Sequence, residues 1–191
     1  RFTLRAKGVP SHAGSYHQAG ANAISEIARQ IAIIDGFTDY GRGITVNVGK
    51  ISGGSGVNVV AEDCVVEVDL RVCDAAAGEE MTARFHALKA HDPRVTLTIE
   101  GGMNRPAFAR DAGIDALFDL AKGIAGEIGL ELASCPLVGG GSDGNFSVAA
   151  GVPTLDGLGV DGAGAHTHHE HMLVSSIGPR ALLLQGLMER A

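Results

Sequence analysis

Hydrophobic and polar positions alternate from the first residues. Phe2, Leu4 and Ala6 take turns with Thr3, Arg5 and Lys7, the pattern of a half-buried strand. Gly8-Val-Pro10 ends it. The period then lengthens. Ile24, Ile27, Ala28, Ile31 and Ile34 mark one stripe of an amphipathic helix over 19–35. Ile44, Val46 and Val48 predict a second strand, broken by the loop Ser52-Gly-Gly-Ser-Gly56. Val66, Val68, Leu70 and Val72 predict a third over 64–73, opposite Glu67, Asp69 and Arg71. Met81, Phe85 and Leu88 place a helix over 77–90, and Val95, Leu97 and Ile99 a fourth strand. The order strand, helix, strand, strand, helix, strand predicts an α+β fold. It is the βαββαβ run of a ferredoxin-like sandwich, a four-stranded antiparallel sheet with two helices on one face.

Gly101-Gly-Met-Asn-Arg-Pro106 marks a boundary, dividing the chain into 1–104 and 105–191. Beyond it, Ile114, Leu117, Phe118, Ala121, Ile124 and Ile128 stripe a helix over 111–129. A short strand at Leu137-Val138 runs into Gly139-Gly-Gly-Ser-Asp143, where Ser142 or Asp143 caps a short helix. A buried strand follows at 152–158, and a last helix from 175 carries Ile177, Leu182, Leu184 and Leu187. This looks like an incomplete portion of a layered α/β domain, too small to stand as a whole one.

Composition narrows the function. The chain of 191 residues is 45% hydrophobic and 19% charged, enough to bury a core. Its net charge of −7 and the lack of a basic cluster argue against nucleic acid or an anionic membrane as partner. No apolar run approaches the ~20 residues of a membrane span. Cys64, Cys73 and Cys135 are odd in number and lack metal-ligand spacing, which points to a reducing, cytoplasmic setting. There is no initiator Met, so the chain is expected to begin inside a longer protein.

Candidate chemistry lies in two islands. His166, His168, His169 and His171 crowd one glycine-flanked stretch, although neither His-Glu-x-x-His nor its inverted form fits. Read alone, most of the four are exposed loop histidines. His166 is the best metal-ligand candidate, because Gly162-Ala-Gly-Ala165 places it at the end of a predicted buried strand. His12 sits between a strand end and a helix start, where an imidazole can aim into a cleft and donate to an oxyanion. Asn58, Arg71 and Arg105 suit a carboxylate. Taken singly, they are ordinary surface groups. The backbone N–H groups of Gly140, Gly141 and Ser142 could meet an anion.

Six motifs occur in order: Ser11-His-Ala-Gly14, Gly53-Gly54 with Asn58, Asp69-Leu-Arg71, Arg105-Pro-Ala-Phe108, Gly139-Gly-Gly-Ser-Asp143 and Gly164-Ala-His166. In this the chain resembles the dinuclear-zinc amidohydrolases and metallopeptidases, nearest the glutamate carboxypeptidase branch. The resemblance implies that 1–104 is the lid, or dimerisation, domain and 105–191 the C-terminal part of the catalytic domain. It implies two zinc ions per site in the intact protein, with His166 as the last zinc ligand. His12 would reach the reacting carbonyl, often in the partner subunit's site. Asn58, Arg71 and Arg105 would hold the substrate's carboxylate end, beside Gly140, Gly141 and Ser142. The implied substrate is a peptide or N-acyl amino acid with a free carboxylate, and the implied assembly a homodimer through the lid. The remaining metal ligands and the general base would precede Arg1, so these 191 residues alone are expected to be inactive. The rival class is a non-catalytic dimerisation or ligand-binding module.

Overall fold

The computed structural model describes residues 1–135 and 140–191, so the strand expected at 137–138 and Gly139 lie outside the described residues. The chain divides into two compact units, Arg1–Ala107 and Phe108–Ala191.

The first unit contains β1 (Phe2–Lys7), α1 (Ala23–Asp35), β2 (Thr45–Gly53), β3 (Asp63–Arg71), α2 (Ala75–His86) and β4 (Thr96–Gly101). Its four strands form an antiparallel sheet in the order β2-β3-β1-β4. The alternation read from sequence fixes which face is buried. Phe2 opposes Val68, Leu4 opposes Val66 and Ala6 opposes Cys64, and all six are buried. Both helices close over that face, with Ile27 and Ile34 of α1 and Ala77, Met81 and Phe85 of α2 in the same core. Phe85 stacks on Phe2, ring centroids 4.1 Å apart, and meets Phe37 edge-on at 5.5 Å. The outer face carries charges such as Lys7 with Glu62 (3.3 Å) and Lys50 with Glu67 (3.4 Å). Such exposed pairs contribute little to stability.

Local chemistry sets the ends of the elements. Helix α1 begins at Ala23 rather than at 19, because Asn22 is its cap and accepts from the Ser25 N–H (3.1 Å). Residues His17–Ala19 make only a short 3-10 turn. Asp74 caps α2 through the Ala77 N–H (2.7 Å). Strand β2 continues through the expected break to Gly53, with a register shift between Val48 and Lys50.

The apolar stripe of α1 is only partly right. Ile24 and Ala28 are exposed, whereas Glu26 and Gln30 are fully buried. The reason is a polar clamp on the loop after α2. Glu26 accepts from Gln30 Nε2 (2.7 Å), from the His91 N–H (3.1 Å to each oxygen) and from the Asp92 N–H (3.3 Å). Gln30 also donates to the Lys89 carbonyl (2.9 Å). Burial pushes the Glu26 carboxyl up, but the bonds from Gln30, His91 and Asp92 outweigh it and hold its pKa below the usual value. Glu26→Ala removes the fully buried acceptor that ties α1 to the loop after α2 and should cost about 1–3 kcal/mol in urea unfolding at neutral pH. Because the folded pKa is depressed, this stability is present above the ordinary carboxyl range. It is lost as pH falls through the folded pKa, so the gap between wild type and variant should narrow in acid.

The second unit contains α3 (Ala112–Glu127), α4 (Gly144–Ala149), the hairpin strands β5 (Gly162–Ala163) and β6 (His171–Met172), and α5 (Ile177–Arg190). Asp111 caps α3 through the Ile114 N–H (2.8 Å). Ala121, Ile124 and Ala125 of α3 pack on Leu183 and Leu187 of α5. Arg190 and Glu127 join the same two helices in a two-pronged ion pair at 2.8 Å. Leu182 and Leu184, expected in the buried stripe of α5, are 53% and 40% exposed. The helical period instead turns Leu183 and Leu187, four apart, toward α3. The strand expected at 152–158 does not form, and Val152 is 55% exposed. Among the described residues this segment has no neighbouring strand to take up its backbone groups, and an apolar run becomes a strand only inside a ladder. No helix among the described residues is long and apolar enough to cross a membrane.

Candidate functional site

His12 is held by an extension of the sheet. Beyond Lys7 the chain stays paired with the segment that leads into β3. The Gly8 N–H donates to the Glu62 carbonyl (2.6 Å), the Val60 N–H to the Ser11 carbonyl (2.9 Å) and the Ala13 N–H to the Asn58 carbonyl (2.9 Å). His12 itself bridges to Val59. The structure therefore brings His12 and Asn58 together, past one end of the β1–β3 ladder. The His12 ring is exposed. Its Nδ1 accepts from the N–H groups of Gly14 (3.1 Å) and Ser15 (3.0 Å). In the neutral ring this leaves the proton on Nε2, which can donate outward.

Arg71 lies at the other end. Strand β3 has nine residues, so its ends are about 26 Å apart at the usual rise of roughly 3.3 Å per residue. Asp63, which opens β3, pairs with Lys7 on the His12 side, while Arg71 closes it. The Arg71 Nε donates to Asp69 Oδ2 (2.7 Å). The segment that carries Arg105 leaves the sheet at this same end. Gly101 pairs with Phe2, and the Gly102 N–H donates to the Arg1 carbonyl (3.0 Å). Arg105 is partly buried. The four candidates of the first unit thus fall into two groups, His12 with Asn58 and Arg71 with Arg105, at opposite ends of one sheet.

In the second unit, Gly140 and Gly141 line a cavity of about 600 Å³ together with Phe108, Asn145, Leu155 and Arg180. Asp143 is the N-cap of α4, without a side-chain capping bond, and Ser142 bonds on both sides of it. The Ser142 Oγ accepts from the Gly144 N–H (3.1 Å), and its own N–H donates to Asn145 Oδ1 (2.9 Å).

The histidine stretch forms the loop of the β5–β6 hairpin. His166 therefore stands near the apex of an exposed turn, not at the end of a buried strand, and its φ is 64°. Close backbone approach forces the glycines here. A Cβ on Gly162 would sit 2.2 Å from the His171 carbonyl oxygen, and Gly164 has a φ of 76°. His171 lies in β6, its Nδ1 2.9 Å from the His169 carbonyl. Among the described residues, no three His, Cys, Asp or Glu side chains are placed to hold a metal ion. Zinc needs three or four ligands at about 2 Å, so the four histidines do not form a metal centre by themselves.

Sequence reading missed the groups that brace this hairpin. Asp161 pairs with Arg180 (2.6 Å). The Asp161 N–H donates to Ser176 Oγ (2.9 Å), and its carbonyl accepts from the Leu173 N–H (2.7 Å). Glu170 accepts from the His166 N–H (3.1 Å). Only Glu170 left a signal, an acid four residues after a histidine in a glycine-flanked loop. The others depend on approaches that spacing does not encode.

A family model described as a peptidase dimerisation domain matches residues 1–96. The chain belongs to the M20 peptidase family. Among curated M20 relatives, carboxypeptidase G2 of Pseudomonas sp. (strain RS-16) is 26% identical over 181 residues, covering 93% of this chain and 43% of that protein. A probable carboxypeptidase of Trichophyton verrucosum is 34% identical over 125 residues, covering 55% of this chain and 26% of that protein. Among solved structures, a Staphylococcus aureus tripeptidase shares the fold, with a TM-score of 0.72 at 24% identity over 98% of this chain and 50% of that one. This M20 chain thus spans half or less of the length of each of these relatives.

Proposed function

We propose that this chain supplies the lid and the C-terminal part of the catalytic domain of a metal-dependent amidohydrolase, working as a homodimer. Its substrate is a peptide or N-acyl amino acid with a free carboxylate. The observation that carries the reading is the division of the lid's polar residues between the two ends of its sheet. Groups about 26 Å apart cannot converge on one small substrate, but in a two-fold dimer one end of each lid can serve the partner's site. A dimer also fits the exposed Ile24, Ile33 and Ile51 of α1 and the edge strand β2, and it fits the dimerisation-domain match. The carboxypeptidase relatives support the reaction class.

In this reading each residue has a task. Arg71 and Arg105 hold the substrate's carboxylate, as guanidinium forks do, and so set the register of the scissile amide. In the second unit the N–H groups of Gly140 and Gly141 would be offered to an anion, while Ser142, its own N–H bound to Asn145, would shape that loop. His12 of one subunit, its ring fixed through Nδ1, turns its Nε2–H to the carbonyl oxygen of the amide held in the other, with Asn58 beside it. As the carbonyl becomes an oxyanion, that donor binds it more strongly than the ground state. His166 would be one ligand of a zinc centre, which when bound supplies Lewis acidity and an activated water. Its other ligands and the general base would come from outside the described residues.

The test compares two proteins. The intact protein that contains these residues should hydrolyse N-acyl amino acids with a free carboxylate, lose activity to a chelator and regain it with zinc. The 191 residues alone should show no turnover. Enzyme-like turnover by the 191-residue chain, or chelator-insensitive turnover by the intact protein, would overturn the reading.

A further inference from the structure

His166 is the one non-glycine residue with a positive φ among the described residues. A side chain in the left-handed region is strained and persists only where its surroundings impose it. Here the imposition is local. The loop between β5 and β6 is tied by its own residues. The Thr167 N–H and Oγ1 both bond to the Gly164 carbonyl (2.9 and 2.7 Å), and Thr167 Oγ1 accepts from the His169 N–H (3.1 Å). The Glu170 N–H donates to the Thr167 carbonyl (3.2 Å). These bonds shape the turn but leave the His166 amide unclaimed. Its bond runs to the Glu170 carboxylate, which reaches back four residues to Oε2 at 3.1 Å.

We propose that Glu170 is the positioning residue for His166: its carboxylate takes the His166 N–H and holds the left-handed turn that sets where the imidazole points. Rotation about φ would swing the Cα–Cβ bond and carry the ring away from any fixed target. A ligand needs its ring aimed before the metal arrives, and a group that orients a ligand typically changes metal affinity by roughly 10–100-fold. An oxygen acceptor at the end of a side chain of this length is what the contact requires. Glutamine keeps such an oxygen, whereas alanine removes it. This inference rests on the reading of His166 as a metal ligand, but the conformational part stands apart from it.

The experiment uses the intact protein and three variants, Glu170→Ala, Glu170→Gln and His166→Ala. Amide hydrogen exchange at His166 reads the conformation, and titration with Zn²⁺ reads the affinity. Glu170→Ala should lose protection at the His166 amide and bind Zn²⁺ roughly 10-fold more weakly, and Glu170→Gln should restore most of both. If Glu170→Ala exchanges as slowly as wild type, or if Glu170→Gln fails as badly as Glu170→Ala, the positioning role is wrong. Should His166→Ala bind Zn²⁺ as tightly as wild type, the ligand reading fails instead, while the exchange comparison still decides what Glu170 does.

Discussion

Heterodimers built from one His12→Ala subunit and one Arg71→Ala subunit should turn over at about half the wild-type rate, because one of the two sites of a two-fold dimer is then intact. Each variant as a homodimer should be nearly inert. Loss of one donor to a developing oxyanion typically costs about 10²–10³ in kcat, and in the proposed reading loss of Arg71 removes the carboxylate clamp. Recovery on pairing follows from the geometry. His12 and Asn58 project past the Asp63 end of β3, and Arg71 closes the opposite end. If a site draws His12 from one subunit and Arg71 from the other, a heterodimer has one site with both residues and one with neither. Two affinity tags isolate the heterodimer for steady-state kinetics. A heterodimer as inert as its parents would mean that both residues act within the same subunit, or that neither acts at all.

Phe85→Ala should be the most damaging single change to the fold of the first unit, at about 3–5 kcal/mol. Phe85 is fully buried in α2 and its ring bridges three elements. It stacks on Phe2 of β1 with an angle of 9° between the planes, and meets Phe37, which follows α1, at 89°. Truncation removes both aromatic contacts and opens a cavity between the sheet and both helices. Aromatic pairs in these geometries contribute roughly 0.5–1.5 kcal/mol beyond the area they bury. Phe85→Leu keeps much of the volume and should recover more than half of the loss. Chemical denaturation followed by circular dichroism gives both values. If Phe85→Ala cost less than about 1 kcal/mol, the core would be relaxing around the gap, in conflict with close packing.

The first unit was legible because its signals are periodic. The period of two in 2–7 and 64–72 put one face of each strand in the core, and Phe2, Leu4, Val66, Val68 and Leu70 are buried as expected. The helix over 19–35 was legible as an element but not in its details. The stripe rule assigns buried positions to apolar residues, so it could not find Glu26 and Gln30, whose burial rests on the Lys89 carbonyl, which accepts from Gln30, and on the His91 and Asp92 N–H groups, which donate to Glu26. In the second unit the rule failed differently. The apolar run at 152–158 has the composition of a strand, but no ladder takes it in among the described residues.

The candidate site divides the same way. Six motifs in the order of the resembled family, rather than any single spacing, marked His12, Asn58, Arg71, Arg105 and His166. Their grouping was beyond the reach of spacing. His12 and Asn58 are 46 positions apart in the chain, and only the backbone bonds between the two segments join them. Asn58 and Arg71 are close in the chain, yet the length of β3 parts them.

Sequence by itself determined the element order of the first unit, the buried face of its sheet and the residue types available for chemistry. These follow from side-chain hydrophobicity and backbone preference, which act over a few neighbouring residues. Tertiary structure alone decided that the candidate polar groups of the first unit stand at opposite ends of one sheet. It alone decided that a carboxylate is buried under the loop after α2 and that His166 rides a left-handed turn held by Glu170. Each of these depends on strand register, or on a hydrogen bond whose partner is chosen by approach in space.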